Sequence, residues 1–416
     1  MYKHRAIETI MNVAARGFAA ITIYGARQVG KSTFVASFFG DKFASVTLDD
    51  IEELALARSN PKLFLEAHPW PVAIDEIQKA PMLLPLIKEI IDEEKKTWTL
   101  EGKSPRLMYI LMGSSQLELR SAVSESLAGR TAVFHIASFS LDELDGKPRG
   151  AFIPEVSHIQ SRIHGCFHYR TRAELFEEIF RGGMPEYRVN GLDRDTFFHS
   201  YIATYLQKDV GSAVPADMLH TFRMFLEYIA LRTGQQVSFD DVGGGVGIDA
   251  RTVKRWLSLL ESTGIIYFLR PYAANLSDRV IKTPKLYFMD TGLAAYLCRW
   301  PNAATLEKSS MAGAFFETFA VSEIVKSHLG EGKALEELSL YYYRDKDQKE
   351  ADLIFETVEG IVPLEIQKGI NPVSSSFNFR FLEKYKKPVL TGFVIACRDN
   401  LLPINDSVWY CPIAAI

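Results

Sequence analysis

The stretch AAITIYGARQVGKSTFVASFF, residues 19–39, constrains the rest of the chain more than any other. An apolar strand runs into a loop bracketed by glycines, and a helix follows at once. The loop fits G-x-x-x-x-G-K-[ST] from Gly25 to Ser32. Glycines let such a backbone wrap tightly, so its N–H groups can face phosphate oxygens, and the helix starting near Lys31 adds the positive end of its dipole. Lys31 is placed to reach the β- and γ-phosphates of ATP, and Ser32 to set its hydroxyl on Mg²⁺. The expected nucleotide cradle is Gly25, Ala26, Arg27, Gln28, Val29, Gly30, Lys31, Ser32 and Thr33. Arg27 is a further candidate for a phosphate or inter-subunit contact.

A second motif, PVAIDEIQKAP, brings Asp75 and Glu76 to the end of a short apolar strand. Two acids ending a strand are often only a solvated edge. Behind a P-loop they read as the pair that holds Mg²⁺ through water (Asp75) and polarises the attacking water (Glu76). PRLMYILMGSSQLEL then reads as a buried strand ending in Ser114 and Ser115. LRSAVSESLAGRTAVFHIASF reads as a helix, then Gly129 and Arg130, then another strand.

From HYRTRAELFEEIFRGGMPEYRV the pattern turns helical, with Leu175, Ile179 and Phe180 spaced for one buried face and Gly182, Gly183 and Pro185 ending the helix. In SFDDVGGGVGIDARTVKRWLSLLESTGIIYFLRPY, Asp249 is a good N-cap, and Val253, Leu257 and Leu260 share a face. Arg251, Lys254 and Arg255 lie away from that face, where they suit phosphate and groove contacts on DNA. The glycine run ahead of this helix is expected to shorten the helix before it, because each glycine costs about 1 kcal/mol against alanine. IIYFLRPY and KLYFMD read as a hairpin. Helix, turn, helix, hairpin is the winged-helix order, which serves protein partners as well as nucleic acid.

The last third gives a helix carrying Glu317, then strands carrying Asp352 and Glu365 either side of a turn at Glu359-Gly360. A helix followed by Asp and then Glu-x-Lys on neighbouring strands is the PD-(D/E)xK nuclease layout. Its carboxylates hold a metal ion that lowers the pKa of a bound water. Here Asp352, Glu365 and Glu317 are the tentative metal ligands, with Glu350 on the face of Asp352. Gln367 takes the lysine position, and strand alternation sends Lys368 to the other face. The same carboxylates are open to a second reading, as polar residues of a fold kept for binding.

GARQVGKST, AIDEIQKAP, MGSSQ, SLAGR, RGGMPE, KLYFMDTGLAAYL, GAFFETF and YYYRDKDQKEADLIF together resemble the prokaryotic AAA+-like (AAA_14) ATPases with a C-terminal DUF4143 domain. The resemblance runs from near the N-terminus to about Gln367. It implies an ATPase core, a DNA-binding type of winged helix and a nuclease-like C-terminal fold. In AAA+ proteins a polar residue beside the acidic strand senses the γ-phosphate, a place that falls to Ser114 or Ser115 here. An arginine ahead of the last strand of the core acts on a neighbouring subunit's γ-phosphate, a place that falls to Arg130.

The expected fold is α/β: a P-loop AAA+-like parallel sheet (residues 1–145), a helical lid or linker (146–210), a winged-helix domain (211–300) and a PD-(D/E)xK-like α/β domain (301–416). A length of 416 residues accommodates that many units, and a net charge of −4 argues against a molecule coated in basic patches while leaving room for one basic face. Cys166, Cys298, Cys397 and Cys411 are scattered, as in a reduced cytosolic protein. No apolar run is long enough for a bilayer span, and the N-terminal residues do not form a signal peptide. The expectation is a cytoplasmic Mg²⁺-dependent ATPase with no membrane partner, homo-oligomeric when ATP is bound, whose target is DNA. An ATP-dependent nuclease, and an ATP-gated scaffold that binds another protein, are the alternatives.

Overall fold

The structure, a computed structural model, describes residues 2–114, 123, 125–165, 169–205, 214–273, 283–370 and 377–416. Ser115, Cys166 and most of the helix read ahead of Arg130 lie outside these residues. The first unit is a parallel sheet of five strands: β1 (Ala20–Tyr24), β2 (Ala44–Thr47), β3 (Val72–Asp75), β4 (Tyr109–Gly113) and β5 (Thr131–His135). Their order is β2-β3-β4-β1-β5. Every residue of β1 and β4 is buried, because helices cover both faces of a parallel sheet. The carboxyl ends of β1, β3, β4 and β5 therefore meet along one edge. β3 pairs with β4 from Val72↔Tyr109, so Ser114 emerges beside the acidic pair, as the sequence predicts.

The middle of the chain is mostly helical. The helix Arg172–Arg181 stops at Gly182, and the helices Pro185–Asn190, Arg194–Tyr205 and Leu219–Ala230 follow. The next helix, Phe239–Val246, runs through all three glycines instead of stopping short of them. Close packing explains the correction. A Cβ on Gly245 would lie 2.4 Å from the Tyr228 ring, and one on Gly243 would lie 2.5 Å from the Ile248 carbonyl oxygen. Gly243 and Gly245 lose helix propensity and allow close approach of neighbouring segments, whereas Gly244 faces open space. Asp249 caps the helix Ala250–Ser262 as expected, accepting from the Thr252 N–H at 2.9 Å.

Residues 235–412 build a second sheet of nine strands, ordered β13-β14-β12-β11-β10-β9-β7-β8-β6. β6 (Gln235–Gln236), β7 (Ile266–Pro271) and β8 (Lys285–Phe288) come from the middle of the chain. β9 (Leu340–Arg344), β10 (Glu350–Glu356), β11 (Ile361–Gln367), β12 (Gly392–Ala396), β13 (Leu402–Asn405) and β14 (Val408–Pro412) follow the helix Ala312–Gly330. The hairpin β7–β8 joins the C-terminal strands through a parallel pairing of β7 with β9, Arg270↔Tyr341. The sheet thus runs across residue 300. The antiparallel pair β10–β11 around Glu359-Gly360 stands where the sequence puts it.

One hydrophobic core is continuous from the nucleotide loop (Ala26, Val29) through Trp256 and Phe288 to Phe319 and Leu364. Polar ties reinforce it. The Gly183 N–H donates to Asp290 Oδ2 at 2.9 Å, the Leu141 N–H to Glu323 Oε2 at 2.7 Å, and Lys326 Nζ to the Phe139 carbonyl at 3.1 Å. Among the described residues, no helix is long and apolar enough to cross a membrane. Cys397 and Cys411 are buried free thiols, each pushed up to about 12 by burial.

Candidate active site

The loop between β1 and the helix Lys31–Phe39 has the predicted form. Gly30 and Gln28 take left-handed backbone angles, φ 89° and 60°. A Cβ on Gly25 would fall 2.0 Å from the Ile136 carbonyl oxygen, so only glycine fits there. Lys31 Nζ is folded back and donates to the carbonyls of Gly25 (2.9 Å) and Ala26 (3.0 Å). Ser32 Oγ donates to Asp75 Oδ2 at 2.8 Å. Burial, and then the neighbouring Glu76 charge, hold the Asp75 carboxyl above its usual range. A carboxylate beside a serine hydroxyl is the oxygen-donor chemistry that a hard divalent cation takes.

Glu76 is buried and left-handed (φ 55°), which turns its side chain back toward β4. Its carboxylate accepts from Ser114 Oγ at 3.0 Å and from the Gln78 amide. Ser114, one of the two predicted serines, is thus on the glutamate, and Ser115 lies outside the described residues. Gln78 was not singled out from the sequence, although it stands in the quoted motif two residues past Glu76. Lys31, Ser32, Asp75 and Glu76, with Arg27 and Thr33, line a cleft of about 840 Å³ to which Tyr2, Phe139, Pro185 and Val189 also contribute.

Two more residues at the loop escaped sequence reasoning. Arg5 is 6% exposed and lies over the Phe139 ring. Its guanidinium donates to the Val29 carbonyl (3.0 Å), the Ala137 carbonyl (2.7 Å) and Glu143 (3.0 Å). It pins the outside of the loop to segments more than 100 residues away, and nothing local in the sequence marks it. His135, ending β5, stacks on Tyr24 with ring centroids 4.7 Å apart. Burial, and then the Lys31 charge, lower it to about 3, so it is neutral. Gly264, in the turn between the helix Ala250–Ser262 and β7, packs against His135 and the backbone of Ala26.

Arg130 stands elsewhere. It precedes β5, and its carbonyl accepts from the Ala20 N–H at the amino end of β1. A five-residue strand spans roughly 17 Å, so its own nucleotide cleft lies at the opposite edge of the sheet. Its guanidinium forks onto Asp92 at 2.7 and 2.8 Å. Arg251, Lys254 and Arg255 are exposed along the outer face of their helix. Val253, Trp256, Leu257 and Leu260 fix the inner face, with Trp256 edge-on to Phe222 and Phe225.

In the C-terminal half, Glu317, Glu350, Asp352, Glu365 and Gln367 all line one cleft of about 660 Å³. Lys368 lines it too, against the alternation expected from the sequence, because β11 ends at Gln367 and the alternation ends with it. Asp352 Oδ2 accepts the Ile366 N–H at 2.9 Å, and Gln367 Nε2 donates to Glu365 at 2.9 Å. The arrangement differs from the expected metal site in one respect: the Lys285 ammonium stands among the carboxylates, 2.7–3.2 Å from Glu350, Glu317 and Asp352. Among the described residues, no group of three or more His, Cys, Asp or Glu side chains is disposed to hold a metal ion. Burial, and then the charge of Asp352, raise Glu317 and Glu365 well above the ordinary carboxylate range. Burial of Lys285 works against its charge, but Tyr287, Glu317, Asp352 and Glu350 more than offset it and hold the ammonium protonated. The only sequence signal for Lys285 was a lysine opening an otherwise apolar strand.

A P-loop at the end of β1, an acidic pair at the end of β3 and a polar residue after β4 define a P-loop ATPase. Residues 17–145 match the family described as AAA domain, and residues 312–416 match DUF4143, a domain of unknown function. The chain therefore joins an AAA-type ATPase domain to a C-terminal DUF4143 domain. Residues 172–304 between them match a second domain of unknown function, DUF8612. Uncharacterized proteins of Mycobacterium tuberculosis and Mycobacterium bovis are each 24% identical over 399 residues, 94% of this chain and 79% of theirs. Among solved structures, a Walker-type ATPase of Pyrococcus abyssi aligns with a TM-score of 0.44 and 14% identity, over 71% of this chain and 96% of that one. A Drosophila ORC structure bound to DNA aligns with a TM-score of 0.24 and 13% identity, over 71% and 85%.

Proposed function

We propose that this protein is a Mg²⁺-dependent AAA-type ATPase that binds DNA through the helix Ala250–Ser262. The observation that carries the reading is positional. Arg251, Lys254 and Arg255 are exposed on a helix whose C-terminal turn, at Gly264, lies beside the nucleotide loop, where an added Cβ would come 3.6 Å from the Ala26 nitrogen. The order helix, β6, helix, helix, β7, β8, with β6 beside β8, supports a winged helix, the fold that presents such a helix to a groove. The helix with Glu317 followed by β9, β10 and β11 supports a PD-(D/E)xK-like C-terminal fold. Lys285 among its carboxylates favours a binding role over cleavage.

At the cleft, Lys31 exchanges its loop carbonyls for phosphate oxygens. Ser32 and Asp75 are the residues that would hold Mg²⁺, which offsets charge on the β- and γ-phosphates. Glu76 orients the attacking water and takes its proton, and the Ser114 hydroxyl on the same carboxylate links that event to β4. Arg130, remote from its own cleft, is available to the cleft of a second copy in an ATP-bound oligomer. The test is ATP hydrolysis with and without duplex DNA, using Lys31→Ala as the blank. DNA is expected to raise the rate several-fold, and salt to abolish the effect. Arg251→Ala/Lys254→Ala/Arg255→Ala is expected to lose the stimulation, and its salt slope for DNA binding to fall by about one unit per cation removed. A rate indifferent to DNA would replace DNA with a protein partner.

A further inference from the structure

Lys285 opens β8 and is 3% exposed. Its ammonium has three N–H donors, and three carboxylates receive them: Glu350 Oε1 at 2.7 Å, Glu317 Oε1 at 3.0 Å and Asp352 Oδ1 at 3.2 Å. Two of the three carboxylates are held independently of the lysine, and the third, Glu350, stands 3.8 Å from Arg344 Nε. Tyr287 donates its hydroxyl to Glu317 at 2.6 Å, the Ile366 N–H donates to Asp352 Oδ2 at 2.9 Å, and Glu350 starts β10. These are hydrogen-bond lengths for an ammonium and too long for Mg²⁺, which sits about 2.0–2.1 Å from its oxygens. A divalent ion on Asp352 and Glu317 would stand against the positive charge of Lys285, which is itself buried, so repulsion opposes it. Glu365, the carboxylate without this lysine, is engaged by Gln367.

We propose that the Lys285 ammonium is the resident counterion of this pocket and stands where a divalent metal ion would otherwise bind. The pocket then takes no divalent cation, and the cluster acts as a joint. The lysine comes from the hairpin of the middle unit, whereas the carboxylates come from the helix Ala312–Gly330 and β10 of the C-terminal domain. The joint fixes the β7–β8 hairpin, and with it the helix Ala250–Ser262, to the C-terminal domain. Lys285→Met leaves a set of oxygen donors without a cation, the coordination chemistry that Mg²⁺, Mn²⁺ or Ca²⁺ prefers.

The experiment is thermal unfolding of the full chain against Mn²⁺, in an Asp75→Asn background that disables the metal ligand of the nucleotide site. With Lys285 intact, Mn²⁺ is expected to leave the midpoint unchanged. With Lys285→Met added, the midpoint is expected to fall without Mn²⁺ and to recover by several degrees, saturably, when Mn²⁺ is added. Saturable Mn²⁺ stabilisation with Lys285 intact, removed by Asp352→Asn, would overturn the proposal. So would a Lys285→Met protein with an unchanged midpoint and no response to Mn²⁺. If Lys285→Met does not fold, Mn²⁺ binding to the Lys285-intact protein, followed by electron paramagnetic resonance, decides. Absence of an Asp352-dependent site supports the counterion, and its presence refutes it.

Discussion

Replacing Gly264 with alanine strains the turn that follows the basic helix, beside the nucleotide loop. Gly264 has φ +72°, and a left-handed non-glycine residue costs about 1–2 kcal/mol. The new Cβ would lie 3.2 Å from His135 Nε2 and 3.6 Å from the Ala26 nitrogen. His135 cannot swing away freely, because it is buried and stacked on Tyr24 at 4.7 Å. If about 1 kcal/mol of the strain is relieved by displacing the loop, ATP binding must reverse that displacement, and affinity falls about fivefold. The assay is an equilibrium nucleotide titration beside a thermal melt. Gly102→Ala is the control. Gly102 has φ +64° with nothing within 4 Å of a new Cβ, so alanine there suffers similar backbone strain far from the loop. Both variants should melt a few degrees lower, and only Gly264→Ala should bind ATP more weakly. Equal affinities in the two variants would refute mechanical contact between turn and loop.

Glu76→Gln should retain ATP binding and lower kcat by about 10²–10⁴-fold, since the amide still accepts from Ser114 but takes no proton from water; an unchanged kcat would place the base elsewhere. Arg130→Ala should cost at most about 1 kcal/mol of stability, because its pair with Asp92 is partly exposed. Its effect on kcat should appear only at protein concentrations where sedimentation shows self-association, and an equal loss in the monomer would rule out action on a second copy.

What the sequence determined by itself was the local form of the P-loop and the acidic pair. The P-loop and the acidic pair are contiguous, and a strand, a tight loop and a helix N-terminus position their own residues with little outside help. Lys31, Ser32, Asp75 and Glu76 were legible for that reason. The strands carrying Asp352 and Glu365 were legible too, because period-two patterning survives without knowledge of their neighbours. The glycine run misled, since propensity cannot register that Gly245 meets the Tyr228 ring. Only the tertiary structure decided the rest. It brought Ser114 to Glu76, clamped the loop with Arg5, set Gly264 beside Ala26 and His135, and put the Lys285 ammonium among carboxylates from two other elements. Each of these pairs residues at least 24 positions apart. Charge, burial and steric contact act through space, and the chain must be folded before that space exists.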